Sequence, residues 1–287
     1  MPSVVSAVLI KQNRKFKHKE EPVANFPLLR ADAARPGTPD VPAPPSGADS
    51  PVAERILQAA RQLIALKGPA TTTVRDICDA SSVNVAAVNY YFGSKDALVR
   101  AALMSILEPV NIERRRLLED AKQRFRPNPV PIPVILDALF RPIVQSERAA
   151  DGGRLFIRAE NHLRAVPDSD YTLYIGRQLN DYAEIFIDAM ADSLPQLTRA
   201  ELIWRYEFAR GAAMHLLSNC DPLSRKFQVL SGEGAMIDLD DDELVLRELV
   251  ISTLLGLSAP AVWSDQDLRP GQGAPALRES APAEPAR

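Results

Sequence analysis

From residue 50 to about residue 257, apolar side chains recur every three or four positions. That interval places them on one face of an α-helix. No stretch alternates apolar and polar residues long enough to predict a strand, and no internal repeat is present. The expected fold class is therefore all-α. The first helix is predicted over 51–67, with Ile56, Leu57, Ala60, Leu63, Ile64 and Leu66 as its apolar face. Ser50 is a suitable cap, Pro51 suits the first helical position, and Gly68-Pro69 ends the run. A short helix over 74–80 follows, where Thr73 and Asp76 have capping-box spacing. The turn Ser81-Ser82-Val83 leads to a third helix over 85–91, capped by Asn84 and ended by Gly93. Ser94 caps the next. Two short helices joined by a tight turn behind a longer supporting helix have the helix-turn-helix layout.

Beyond Ser94 the predicted helices lengthen, to 95–107, 109–124, 132–147, 152–165, 169–193, 198–218 and 240–257. Pro109 is expected to kink or divide the first pair. In the 169–193 segment, Tyr171, Ile175, Leu179, Tyr182, Phe186 and Met190 share one face. Thr198 and Glu201 form a capping box. The loop Leu230 to Asp240 reads as flexible or lid-like.

Composition divides the chain further. Residues 1–49 hold a basic cluster, KQNRKFKHK from Lys11 to Lys19, and then a Pro/Ala/Gly-rich stretch. Residues 258–287 are similarly poor in core-forming side chains. Neither end is expected to bury enough apolar surface to offset chain ordering. The 287 residues are 46% hydrophobic and 25% charged with a net charge of −3, so any affinity for a polyanion must be local. Residues 50–100 are locally positive, with six basic against four acidic side chains. The N-terminal cluster is expected to act as an electrostatic arm or to have no function. Cys78 and Cys220 are expected to be buried free thiols. The N-terminus lacks the order of a signal peptide, and no apolar run reaches membrane-spanning length, so a cytoplasmic protein without a membrane partner is expected.

The ordered set ERIL…A…L…G, T-V-R-D-I and Y-F-G-S-K-D-A-L, within residues 51–103, resembles the DNA-binding domain of the tetracycline-repressor (TetR) family of bacterial transcription regulators. Beyond the extension over 1–49, expected to be disordered from its composition, the resemblance implies a three-helix helix-turn-helix domain over 50–96 and a helical effector-binding and dimerisation domain over 97–257. A disordered tail over 258–287 completes the division. It further implies a homodimer on double-stranded operator DNA, acting as a repressor released by a small hydrophobic or acyl-type effector. Val85, Ala86, Ala87 and Asn89 match positions facing base edges; Thr73, Tyr90, Tyr91 and Lys95 match phosphate contacts; Arg75 matches a position reaching either. Asn89 can pair with adenine, and Val85 and Ala87 can meet thymine methyls. From Ser81 to Ser94 there is no charged side chain, so attraction to phosphate must come from hydroxyls, helix N-termini and flanking cations. For Arg75 an ion pair with Asp76 or Asp79 is the competing expectation.

Effector contacts are expected among Phe140, Phe156, His162, Tyr171, Tyr182, Phe186 and Trp204, each of which also suits plain core packing. Arg154 and Arg158 are candidates for an anionic head group or for a solvated face. Leu202, Tyr206, Ala209, Ala213 and Leu217, with Leu246, Val250, Leu254 and Leu257, are expected to form a four-helix dimer interface or subunit core. The chain lacks G-x-S-x-G, a P-loop, G-x-G-x-x-G and H-E-x-x-H, and His18, His162 and His215 are scattered. No catalytic residue, metal or cofactor is expected. A helical adaptor that keeps the helix-turn-helix fold is the alternative, and a helical enzyme a further one.

Overall fold

A computed structural model describes residues 50–179, 181–224, 226–231 and 238–258. The basic N-terminal cluster, the C-terminal tail beyond Ser258 and most of the Leu230–Asp240 loop lie outside the described residues. Among the described residues the fold is eleven α-helices, with no strand beyond a single Arg148–Arg154 bridge.

Three helices make the N-terminal head: α1 (Pro51–Lys67), α2 (Val74–Ser81) and α3 (Val85–Phe92). Ser50 caps α1 as expected, its hydroxyl accepting from the Val52 amide at 3.3 Å. Ala53, Ile56, Ala60, Ile64 and Ala65 are its buried side, whereas Leu66 is exposed. Gly68 ends it at φ +87°, and a Cβ there would sit 2.9 Å from His162 Nδ1, so backbone angle and close approach both require glycine. At the α2 N-terminus the capping box is complete. Thr73 Oγ1 accepts from the Asp76 amide at 3.2 Å, and Asp76 Oδ2 accepts from the Thr73 amide at 2.9 Å.

Helix α4 (Lys95–Phe125) runs unbroken for 31 residues through Pro109. The expected division at Pro109 therefore does not occur. At ~1.5 Å per residue the helix is ~46 Å long. Leu98, Val99, Ala102, Leu103, Ile106 and Leu107 bury its first half, and Val110, Asn111, Arg114, Leu118 and Ala121 its second. With apolar burial on both sides of the proline, losing one backbone bond does not break the helix.

Helix α5 (Ile132–Val144) is buried almost all round and packs against α4 and α11 (Asp242–Ser258). It stops before residue 147, and α6 (Leu155–Ala165) starts after residue 152, because residues 145–154 form a tight loop. Gly152 has φ +87°, and the Ala149 amide donates to Gly153 O at 2.7 Å. The helix expected over 169–193 is described over Asp170–Leu179 (α7) and Asp181–Ser193 (α8), with residue 180 outside the described residues. Then come α9 (Arg199–Asn219), capped by Thr198 and Glu201, and the short α10 (Lys226–Ser231).

Two expectations about charge are corrected. Arg154 and Arg158 are neither solvated nor free to hold a ligand. Arg154 is 4% exposed and donates to Val144 O at 2.7 Å and Asp242 Oδ1 at 2.6 Å. Arg158 forks onto Asp221 at 2.8 and 2.9 Å and reaches Asp151 at 3.0 Å. Buried guanidinium groups need such partners, since an unpaired one costs several kcal/mol by the order of magnitude known for buried ions. Cys78 is buried and Cys220 half-buried, and neither is in a disulfide. Among the described residues no helix is long and apolar enough to cross a membrane, and no group of three or more His, Cys, Asp or Glu could hold a metal ion.

Asp76 gives the head an acid-sensitive joint. The Lys67 ammonium at 2.6 Å and the Thr73 donors hold its carboxyl well below its ordinary value of 3.8. The ionised form is thus favoured by folding. Its contribution is whole above that value and is lost as pH falls below it. Asp76→Asn is expected to lower the melting temperature at neutral pH, with the difference from wild type shrinking as pH drops below 3.8. Thermal melts across pH check this; a difference that persists unchanged into the acid range contradicts it.

Candidate nucleic-acid interface

Helix α3 is held by very little of itself. Val88 is its one fully buried side chain, at 0% exposure. Asn84 caps it, accepting from the Ala87 amide at 2.9 Å. Ser82 turns the chain into α3 in the left-handed region, φ 55° and ψ 44°. With Ala87, Tyr91 and Phe92 half-buried against the core, the Val85, Ala86, Asn89 and Tyr90 side is left facing outward.

On that outward surface Val85, Ala86, Asn89 and Tyr90 are exposed, Tyr90 at 71%, while Ala87 is half-buried. Among the described residues the Asn89 side chain makes no hydrogen bond, so its amide keeps both donor and acceptor. Tyr90 and Tyr91 meet edge to face, ring centres 5.0 Å apart. Their environments differ. Tyr91 is half-buried, with its hydroxyl 3.1 Å from Ser50 Oγ, which ties α3 to the start of α1. The Tyr90 hydroxyl has no protein partner among the described residues.

The flanking positions separate in the same way. Arg75 is exposed and makes neither of the competing ion pairs, because Asp76 is taken by Lys67 and Thr73. Thr73 is committed: its hydroxyl donates to Asp76 Oδ2 at 2.7 Å. A phosphate contact from that hydroxyl requires exchanging this bond. Lys95 Nζ lies 3.4 Å from Ala70 O, a weak tether for a cation beside the exposed helix. The surface is an uncharged helix flanked by Arg75 on one side and Lys95 on the other.

The predicted effector residues do not converge. A cavity of about 460 Å³ lies between α4, α6, α7, α8 and α9, and of the seven only Tyr182 lines it. Phe140, Phe156 and Phe186 are core, at 0%, 2% and 1% exposure. Trp204 is 79% exposed on the outer side of α9. Tyr171 donates to Asp96 Oδ1 at 2.7 Å; burial first, then this carboxylate, pushes its phenol up to about 12. His162 Nε2 lies 3.2 Å from Ala65 O, joining α6 to α1. What sequence reasoning missed is Arg114, which lines the cavity. The available signal was its place on the stripe Leu107, Val110, Arg114, Leu118, Ala121, where every neighbour is apolar.

Of the residues expected to form a dimer interface or subunit core, most are core. Leu202, Tyr206, Ala209, Ala213 and Leu217 are all at 5% exposure or less within the subunit, as are Leu246 and Leu257. Their neighbours point outward instead: Ile203 43%, Trp204 79% and Phe208 57% on α9, with Ile251 47% and Leu255 70% on α11.

Comparison with known proteins matches residues 56–102 to the bacterial regulatory proteins of the tetR family. Residues 137–238 match the tetracyclin repressor-like C-terminal domain. An HTH-type transcriptional repressor of Mycobacterium tuberculosis is 51% identical over 59 residues, 21% of this chain and 31% of that protein. An HTH-type transcriptional regulator of Mycobacterium bovis matches with the same figures. The chain thus spans less than a third of the length of these curated relatives. Among solved structures, a ketosteroid transcriptional regulator of Mycobacterium tuberculosis is 16% identical, covering 72% of this chain and 95% of that one, with TM-score 0.48. A TetR-family regulator from Streptomyces coelicolor is 18% identical over 74% and 91% of the two chains, with TM-score 0.45.

An exposed, unpartnered Asn89 on a helix of small side chains leads to a specific expectation. Asn89→Ala is expected to cost roughly 1–3 kcal/mol of discrimination at one base pair, with affinity for unrelated DNA unchanged. Competition titrations against single-base operator variants measure this. An equal loss on every sequence contradicts a base-reading role.

Proposed function

The chain belongs to the tetR family of bacterial transcriptional regulators, and on that premise we propose that it is a repressor working as a homodimer on a pseudo-palindromic operator. A small effector bound in the C-terminal region releases it. The observation that carries this reading is the pairing of two unoccupied surfaces. One is the exposed uncharged face of α3 between Arg75 and Lys95. The other is the outward apolar stripe of α9 and α11.

The division of labour proposed is a head over 50–96 that reads DNA and a helical region over 97–257 that binds effector and pairs subunits. Val85, Ala86, Ala87 and Asn89 face base edges. Tyr90, Tyr91, Thr73, Lys95 and Arg75 supply backbone contacts. Ile203, Trp204, Phe208, Ile251 and Leu255 meet their copies across a two-fold axis, and two helices from each subunit form a four-helix contact. Large aromatic side chains at the centre of such a patch carry most of its association energy. Gly211, on the same helix, has open space at its Cβ position and permits close helix approach.

Effector coupling runs through two helices that touch both ends of the subunit. Helix α6 places Glu160 and Leu163 in the cavity wall and His162 against Ala65 of α1. Helix α7 places Thr172 and Ile175 in the same wall and Tyr171 against Asp96 at the base of the head. A ligand that prefers one setting of α6 and α7 thereby prefers one spacing of the two heads. The same preference, reciprocally, weakens operator binding.

Charges placed on the outward stripe test the dimer and the DNA reading together. Phe208→Asp with Leu255→Asp is expected to give a folded monomer by sedimentation. Its operator affinity should fall by roughly 100-fold or more, since linked half-sites typically gain 10²–10⁴. A double variant that stays dimeric, or a monomer with undiminished operator affinity, contradicts the reading.

A further inference from the structure

The cavity between α4 and α9 contains more buried hydrogen-bond donors than the protein satisfies. Arg114 is 6% exposed. Its Nε donates to Leu139 O at 2.8 Å and its Nη1 to Asn111 Oδ1 at 2.9 Å, both neutral acceptors. A guanidinium has five N–H donors, so three remain without a protein partner among the described residues. Burial lowers the group only to about 10, so it is charged at neutral pH. The two carboxylates of the wall are held by other arginines. Glu160 accepts from Arg164 Nε at 3.3 Å and lies 3.7 Å from Arg210 Nη1, and Glu207 lies 3.5 Å from Arg210 Nη2. Arg114 pairs with no carboxylate among the described residues; its guanidinium lies 5.5 Å from the centre of the Phe156 ring.

Two further donors line the same space. Tyr206 is 5% exposed and its hydroxyl has no partner among the described residues. Arg210 Nε is buried and unpaired. A buried unpaired donor such as Arg210 Nε costs free energy until an acceptor meets it. The contrast with Arg154 and Arg158 is direct: those arginines are answered by Asp242, Asp221 and Asp151, and this one is not. Leu163, Ile175, Leu179 and Ala183 give the wall an apolar part, beside the polar Asn111, Arg164 and Thr172, and about 460 Å³ lies in the range of small-molecule sites.

We infer that the effector is an amphiphile with a carboxylate head, seated on Arg114 with Tyr206 and Arg210, and an apolar body against α7 and α8. The carboxylate accepts from the guanidinium donors left open and from the Tyr206 hydroxyl. It neutralises a cavity cation that, among the described residues, pairs with no carboxylate. This rests on the cavity being the effector site. It names the chemistry of the ligand, which the family assignment does not.

Calorimetric titration of the full chain tests it, using straight-chain carboxylates from butanoate to dodecanoate and the matching primary amides at neutral pH. At the best chain length the carboxylate is expected to bind roughly 10- to 100-fold more tightly than its amide, the range for a charge-assisted bond. In Arg114→Met that preference is expected to vanish while amide binding stays. Arg114→Lys, which keeps charge but loses the fork, is expected to retain part of it. Should Arg114→Met fail to fold, the carboxylate–amide comparison on the wild-type chain decides alone. Amides binding as well as carboxylates, no carboxylate binding, or an undiminished preference in Arg114→Met overturns the inference. Operator release is measured in parallel. Release by an amide with no carboxylate advantage keeps the effector reading and overturns the carboxylate. Carboxylate binding without release keeps the site and overturns its role as effector site.

Discussion

The continuity of α4 is the constraint on which the rest depends. One helix of 31 residues carries the head's core at its first half and the cavity wall at its second. Leu98, Val99, Ala102 and Leu103 bury fully, and the helices of the head close around them. Eleven residues further on, Arg114 lines the cavity. A helix buried at both ends transmits displacement as a rigid body, since packed cores do not deform smoothly. Helices α6 and α7 then touch α4 along its length and meet the head at His162–Ala65 and Tyr171–Asp96. In the proposed mechanism these contacts pass a change in the cavity on to the head.

The uncharged recognition helix is a consequence of how little it buries. With Val88 as sole deep anchor and Ala87, Tyr91 and Phe92 half-buried beside it, α3 leaves the small side chains of Val85, Ala86 and Asn89 exposed. Small side chains let a backbone come close to base edges, where an unpartnered Asn89 amide offers one donor and one acceptor. Attraction to the polyanion is delegated to neighbours, to the exposed Arg75 and to the loosely tethered Lys95. In the proposed interface base reading and phosphate attraction fall to different residues, which is the usual partition of such interfaces.

Much of the head was legible in the sequence because its limits are local. Ser50, Thr73 with Asp76, Asn84 and Ser94 are caps whose chemistry acts within three residues, and Gly68 and Gly93 end helices at positive φ. The helical region was less legible because its decisive facts are long-range. An apolar period along α9 does not say which of two apolar sides turns inward. The helix is apolar on both, and Leu202 and Tyr206 face the core while Trp204 and Phe208 face out. Arg154 and Arg158 looked like ligand anchors until Asp242 and Asp221, some sixty to ninety residues away, came into contact with them. Pro109 argued for a break that tertiary packing overrode. In each case local preference was outweighed by burial between segments distant in sequence.

The account as a whole stands on two copies of α3 meeting one duplex together. Hydroxyl-radical footprinting of the full chain on the DNA upstream of its own coding region measures that directly. Two protected patches are predicted on one face of the duplex, about 34–36 Å apart, at a single site and with matching half-site sequences. A lone patch, or protection spread over the fragment without preference for sequence, would contradict it.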